Sequence, residues 1–201
     1  MRGLIKMDQQ QQELVTMVRN FINREIKSHI REFEEAGGYP DHLVQMGKDM
    51  GLTVMQVPER YGGLELSTTT TAMMLEEGAK VESTYISMFN ITNMGAKIVM
   101  FAGSEAQKEY YAGILADGGM SSFCLTEPGA GSDAASVRTT AVRKGDKYII
   151  NGNKMFITNA SIADVFLVVA STDLSKGYKG LATFIVERNR PGVTVGKKED
   201  K

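Results

Sequence analysis

Apolar residues recur every three or four positions through the first 116 residues and largely every second position after 120, and this change of period divides the chain. Over residues 8–36, Leu14, Val18, Phe21, Ile22, Ile26, Ile30 and Phe33 stand among Gln, Arg, Lys and Glu, which predicts one long amphipathic helix. Gly37 and Gly38 end it, and Pro40 opens a second helix that carries Leu43, Val44 and Met46 and stops at Gly51. Residues 52–66 read as irregular, with Pro58, Tyr61, Gly62 and Gly63 forming a turn cluster whose tyrosine is free to pack on what lies beneath. Ser67 suits the N-cap of a third helix to about Lys80. Its four threonines are poor helix formers, so packing must hold it. A fourth helix, residues 83–101, is apolar over most of its circumference and is expected to be buried on several sides or to line an apolar cavity. Gly103 closes it, and Ser104 with Gln107 forms a capping box for a fifth helix through Ala116.

Beyond Asp117, Gly118 and Gly119 the expected strands are residues 121–125, 137–143, 148–151, 154–158, 165–171, 181–187 and 193–197. Lys144-Gly145-Asp146, Asn151-Gly152-Asn153 and Arg190-Pro191-Gly192 separate several of them as turns. Short links without intervening helices predict mostly antiparallel pairing. The expected fold class is therefore α+β: an all-helical domain, residues 1–119, followed by an antiparallel, incompletely barrel-like β domain, residues 120–201.

Composition narrows the function classes. A formal net charge of −1 with no basic cluster offers no electrostatic footprint for nucleic acid. The single cysteine, Cys124, cannot form an internal disulfide and, in an apolar strand, reads as a packing residue. The start, MRGLIKM, is too short for a signal peptide and the apolar runs are too short to span a bilayer, so no membrane partner and a cytoplasmic location are expected. His29 and His42 lie in separate helical segments with no Cys or His at ligand spacing, so no metal is expected.

The stretch joining the two halves, FCLTEPGAGSD at residues 123–133, is the candidate site. Pro128 fixes its own φ, while Gly129 and Gly131 allow conformations closed to other residues. Such a loop can turn backbone N–H groups toward one point, where the hydroxyls of Thr126 and Ser132 add donors and acceptors, suiting an oxygen-rich, electron-rich ligand. On spacing alone the same residues are ordinary turn chemistry. Gly129, Gly131 and Ala134 also match G-x-G-x-x-A, but a dinucleotide fold needs a helix next and an acid about 20 residues on, where this chain has Asn151 and Asn153. A phosphate-cradling P-loop fails for want of Lys-Ser or Lys-Thr after the glycines.

Four segments taken together resemble the acyl-CoA dehydrogenase family: PERYGG at 58–63, FCLTEPGAGSD at 123–133, YIINGNK at 148–154 and MFITN at 155–159. The resemblance implies FAD-dependent α,β-dehydrogenation of an acyl-CoA thioester to the trans-2-enoyl-CoA, with non-covalent FAD on the middle β domain. It implies cofactor-binding roles for Phe123, Cys124, Leu125, Thr126, Gly131 and Ser132 through backbone and the Thr126 hydroxyl. Phe156, Ile157 and Thr158 would cover the other side of the flavin, with the Thr158 hydroxyl near the hydride-accepting nitrogen. Ser132 would also touch the CoA part of the substrate, and the fourth helix would border the acyl cavity. The implied partners are acyl-CoA, an electron-transferring flavoprotein as acceptor, and further copies of the chain in a dimer or tetramer.

Two departures qualify what is implied. Phe156 stands where the family often has tryptophan, keeping the aromatic face and losing the indole donor. Family members also continue into a helical bundle bearing the catalytic glutamate, so no catalytic residue is assigned within these 201 residues. Glu127 reads as structural, and Glu76 and Glu77 as solvated on a helix. A sheet stopping at Lys201 is expected to leave an unpaired edge and an uncovered apolar face. The favoured reading is the amino-terminal part of an acyl-CoA dehydrogenase, inactive alone. The alternatives are a non-catalytic FAD-binding or assembly subunit and an acyl-CoA oxidase-like flavoprotein.

Overall fold

The computed structural model describes residues 7–199; residues 1–6, most of the start read above as too short for a signal peptide, lie outside them, as do residues 200 and 201. The chain forms two compact units, with the division between Gly118 and Gly119.

Among the described residues the first unit contains α1 (Gln9–Phe21), α2 (Ile30–Ala36), α3 (Asp41–Asp49), α4 (Thr68–Ala79), α5 (Ser83–Ala102) and α6 (Glu105–Ala116). The run expected as one helix is helical throughout but not regular: a π turn, Ile22–Ile26, and a 3-10 turn, Lys27–His29, separate α1 from α2. One extra residue in a turn swings the following face by roughly 100°. The apolar stripe is broad enough to absorb that swing, leaving Val15, Val18, Phe21, Ile22, Ile26 and Phe33 buried and Leu14 and Ile30 half-buried. Periodicity could not reveal the break. Gly37, at φ 69°, closes α2 in the left-handed conformation while the Gly37 and Gly38 N–H groups donate to Glu34 O and Phe33 O.

The caps follow the sequence. Ser67 Oγ accepts from Thr70 N on α4, and Ser104 and Gln107 form the capping box of α6. A second box, Asp8 with Gln11, starts α1. The glutamine run therefore has a structural role, which extends to α4 because Gln11 Nε2 also donates to Thr70 Oγ1 at 2.9 Å.

The centre of this unit is α5, whose buried face runs from Tyr85 to Val99. Tyr85 is fully buried, donates to Leu43 O at 2.6 Å, and has the rings of Phe21, Tyr39 and Phe89 within 5.1–5.8 Å. Gly47 on α3 admits this cluster, since a Cβ there would lie 2.6 Å from Tyr85 Oη. Asn93 pins the irregular 52–56 stretch to the helix: its Nδ2 donates to Leu52 O (2.7 Å) and Phe89 O (2.8 Å), and its Oδ1 accepts from Gln56 N (3.1 Å). Asn93→Leu keeps the volume and leaves the Leu52 carbonyl and the Gln56 N–H without that partner. A loss of about 2–3 kcal/mol is expected, read as a lower denaturation midpoint for this unit. Farther on, the 54–57 and 64–66 backbones hydrogen-bond, and a Cβ on Gly63 would lie 2.5 Å from the carbonyl carbon of Val57. Tyr61 in this turn donates to Glu105 Oε2 of α6 at 2.6 Å, with the Arg60 guanidinium 4.6 Å from its ring centre. No helix among the described residues is long and apolar enough to cross a membrane.

The second unit is a sheet of β1 (Ser121–Cys124), β2 (Thr140–Lys144), β3 (Lys147–Asn151), β4 (Val165–Ser171) and β5 (Leu181–Glu187). The helical-then-β architecture is the one expected, and the sheet is mixed. β4 is central and buried at nearly every position. β5 pairs antiparallel along one whole edge of it, so β1 and β2 share the other edge. Both lie parallel to β4, through Ser121↔Val165 to Cys124↔Val168 and through Thr140↔Ser171, whereas β2 and β3 form an antiparallel hairpin. Parallel neighbours need long crossovers. The irregular stretches 125–139 and 152–164 serve as such, which short turn signals did not suggest.

Two expected strands are absent. Residues 154–158 are irregular because Phe156 (φ 57°) and Asn159 (φ 68°) take the left-handed conformation, which breaks an extended run. Residues 193–197 pair with no strand among the described residues; Val193 N closes the Pro191-Gly192 turn on Arg190 O.

Candidate functional site

β1 leaves β4 at Cys124, opposite Val168, and β2 joins it only at Thr140, opposite Ser171. The intervening 125–139 segment therefore departs from the sheet, and a buried carboxylate holds it. Glu127 is 7% exposed; it accepts from Arg138 N at 2.7 Å, from Thr139 N at 3.0 Å, from the Thr139 hydroxyl, and from Lys154 Nζ at 2.7 Å. Burial alone would push this carboxyl up. The Lys154 ammonium, the Thr139 hydroxyl and the two backbone donors outweigh burial and hold it at about 2. Next to it, Glu127 and Ala130 exchange both backbone hydrogen bonds around Pro128 and Gly129, closing a tight turn.

Lys154 also donates to Leu125 O at 2.9 Å, and Met155 N donates to Thr126 O at 3.0 Å. Farther along, Ser122 Oγ donates to Thr158 O (2.8 Å) and Asn159 Nδ2 to Ser121 O (3.0 Å). Residues 154–159 thus run antiparallel beside 121–126, held largely by side chains where a strand ladder would have been. Left-handed backbone at Phe156 and Asn159 costs on the order of 1–2 kcal/mol each, and these anchors on both sides enforce it. Phe156 is 62% exposed.

The structure therefore joins Phe123, Cys124, Leu125 and Thr126 with Phe156, Ile157 and Thr158, segments about 30 residues apart in the sequence. Gly131 and Ser132 lie one turn beyond and are exposed; no backbone hydrogen bond ties them to the second segment. Cys124 is buried with Ala163 and Phe166 and so offers a ligand only backbone, while the half-buried Ile157 packs on the same cluster. The hydroxyls of Thr126, Ser132 and Thr158 make no hydrogen bond to another described residue. Gly129 and Gly131 do not take up the left-handed freedom that glycine allows, and a Cβ on either would meet nothing within 4 Å. Their lack of a side chain leaves room beside the loop and relieves no strain in the chain. Open space, unengaged hydroxyls and a rigid backbone fit a large ligand rich in hydrogen-bonding atoms. Among the described residues no group of three His, Cys, Asp or Glu could hold a metal ion.

Sequence reasoning missed Lys154, Thr139, Gly152 and Asn159, and it gave Glu127 a structural role without its partners. A lysine in an otherwise uncharged Asn-Gly-Asn-Lys-Met-Phe stretch was the available signal. Burial also pushes the Cys124 thiol up to about 12, against a smaller lowering by Lys154. At pH 8 only about one thiol in 10⁴ would be ionised, so a thiol reagent should leave the native chain unlabelled and react at once after denaturation.

The family profile described as acyl-CoA dehydrogenase, N-terminal domain, matches residues 8–119, and that of the acyl-CoA dehydrogenase middle domain matches residues 122–201. Cyclohex-1-ene-1-carbonyl-CoA dehydrogenase of Syntrophus aciditrophicus is 43% identical over 198 residues, covering 98% of this chain and 48% of the relative. Butyryl-CoA dehydrogenase from Megasphaera elsdenii superimposes with a TM-score of 0.92 at 33% identity, over 98% of this chain and 53% of that one. A glutaryl-CoA dehydrogenase from Mycobacterium smegmatis, solved in complex with FADH2, gives 0.87 at 29% identity, over 97% and 50%. The chain spans about half the length of the curated relatives it matches.

Proposed function

The chain belongs to the acyl-CoA dehydrogenase family, a family of flavoprotein oxidoreductases, and on that premise we propose that it is the amino-terminal and middle part of an FAD-dependent acyl-CoA dehydrogenase. The observation that supports this most is that 121–126 and 154–159 are held side by side while the Thr126 and Thr158 hydroxyls make no hydrogen bond to another described residue. FAD, when bound, would supply the hydride acceptor for α,β-dehydrogenation. The chain's own residues bind and orient. The 123–126 backbone and the Thr126 and Thr158 hydroxyls would hold the flavin through hydrogen bonds that favour its electron-rich reduced form, and Phe156 would shield it. Gly131 leaves room for the cofactor, and Ser132 serves the cofactor and the CoA part of an acyl-CoA substrate.

Removal of the α-proton needs a carboxylate within reach of it. Glu127 is spent on Lys154, Thr139 and two backbone N–H groups, so we assign it no part in that step, and none of these 201 residues is assigned as the base. The engaged state of Glu127 also favours the second reading, a flavin-holding subunit without a base. An electron-transferring flavoprotein as acceptor, homo-oligomeric assembly and a cytoplasmic location complete the proposal.

The test is a fluorescence titration of the 201-residue chain with FAD. Near-stoichiometric binding is expected at micromolar concentrations, and Thr126→Val and Thr158→Val should each weaken it about 5–10-fold, the worth of one hydrogen bond. A chain that folds and leaves FAD free would sink the proposal. Full activity with acyl-CoA from this chain alone would instead show that one of its own residues is the base.

A further inference from the structure

We propose that Lys154 and Glu127 are positioning residues that lock the two cofactor segments into one rigid surface, with Lys154 as the element that couples them. The inference rests on the FAD-binding reading and deepens it. Lys154 begins the second segment, yet its ammonium spends its hydrogen bonds on the first: one to Leu125 O at 2.9 Å and one to Glu127 at 2.7 Å, with the side chain only 11% exposed. One residue on, Met155 N donates to Thr126 O, the carbonyl of the residue whose hydroxyl is offered to the ligand. The cation therefore sets the register in which Thr126 and the 156–158 stretch face outward together. Glu127 extends the lock into the sheet, because its other partners, Arg138 N and Thr139, lead into β2, and Thr139 O accepts from Ser171 N at the end of β4. The Lys154–Glu127 ion pair itself joins two irregular segments and lies outside every strand ladder. Its position between the two ligand-facing segments gives it a different role.

Lys154→Met separates these roles, since it keeps the aliphatic stem while Glu127 retains Thr139 and both backbone donors. The full chain would be compared in three readings: hydrogen exchange at the Met155 amide without flavin, FAD affinity by fluorescence titration, and thermal unfolding. The inference expects faster Met155 exchange and at least a tenfold weaker affinity for FAD in the folded variant. Lys154→Arg, which keeps a cation with several donors, should restore affinity to within about threefold. A Lys154→Met chain that is less stable yet binds FAD as the parent does would overturn the inference and leave Lys154 a purely structural residue. If Lys154→Met does not fold, Lys154→Gln keeps a neutral donor, and an affinity for FAD equal to the parent's would overturn the inference in the same way. Should the parent chain itself not bind FAD, the cofactor reading fails, and the Met155 amide still decides the lock: unchanged protection in Lys154→Met ends it, and lost protection upholds it.

Discussion

Replacing Glu127 by Ala should cost the β unit about 3–5 kcal/mol at pH 7, because it strips a buried ammonium of its counter-ion and leaves Arg138 N and Thr139 N without an acceptor. Hydrogen exchange along β4 would report this for the β unit alone. Glu127→Gln preserves the shape and exposes the electrostatic share through pH. In the folded chain the carboxyl is held at about 2, against an ordinary 4.5, so its stabilisation is fully present above 4.5 and is lost as the pH falls toward 2. The gap corresponds to roughly 3 kcal/mol. Parent and Gln variant should therefore differ most above pH 5 and converge by about that amount near pH 2. Comparison with the variant matters because Glu77, held at about 2 first by Arg19 and then by Lys80, titrates over the same range in the helical unit. Parallel curves across the whole range would mean that Glu127 is not held as a carboxylate.

Gly152→Val is the second large effect, expected at about 3–4 kcal/mol with loss of flavin retention. A Cβ at Gly152 would stand 2.5 Å from Thr139 Cβ and 2.6 Å from its Cγ2, and closer still to its Oγ1. Thr139 is 2% exposed and cannot step aside without releasing Glu127. Overpacking and a broken buried network therefore add at one position. The control is Gly129→Ala, whose Cβ meets nothing within 4 Å. It should leave unfolding within about 0.5 kcal/mol of the parent and weaken only FAD binding. If Gly152→Val unfolds like the parent, the 152–154 turn is looser than its contacts imply.

Much of the helical unit was legible in the sequence because its signals are local. The Ser67 and Ser104 caps and the Gly37 and Gly51 stops act within one turn of the chain, and the period of the apolar residues fixes which faces are buried. The π turn at Ile22–Ile26 was not, because a broad stripe tolerates an extra residue. For the same reason the fourth helix could be assigned from its apolar circumference, whereas the role of Asn93 within it could not. An asparagine in a helix has no local signature that says it will reach Leu52 and Gln56.

In the β unit the strands β1, β4 and β5 followed from alternation, apolar runs and turns, whereas the family resemblance rested on the four motif segments themselves. The parallel pairing of β1 and β2 with β4 did not, since period-2 alternation says which face a residue takes and nothing about its neighbour's direction. Residues 154–158 alternate like a strand, yet Asn159 and Ser122 reach across to hold a left-handed Phe156 that no propensity would place there. Local chemistry along the chain marked the 123–133 loop as the candidate site and most of the elements around it, and the motif resemblance added the 156–158 segment. Tertiary structure alone brought Lys154 to Glu127 and Leu125, because a buried ion pair forms only where two distant backbones have already been brought within about 3 Å, with donors enough to offset desolvation.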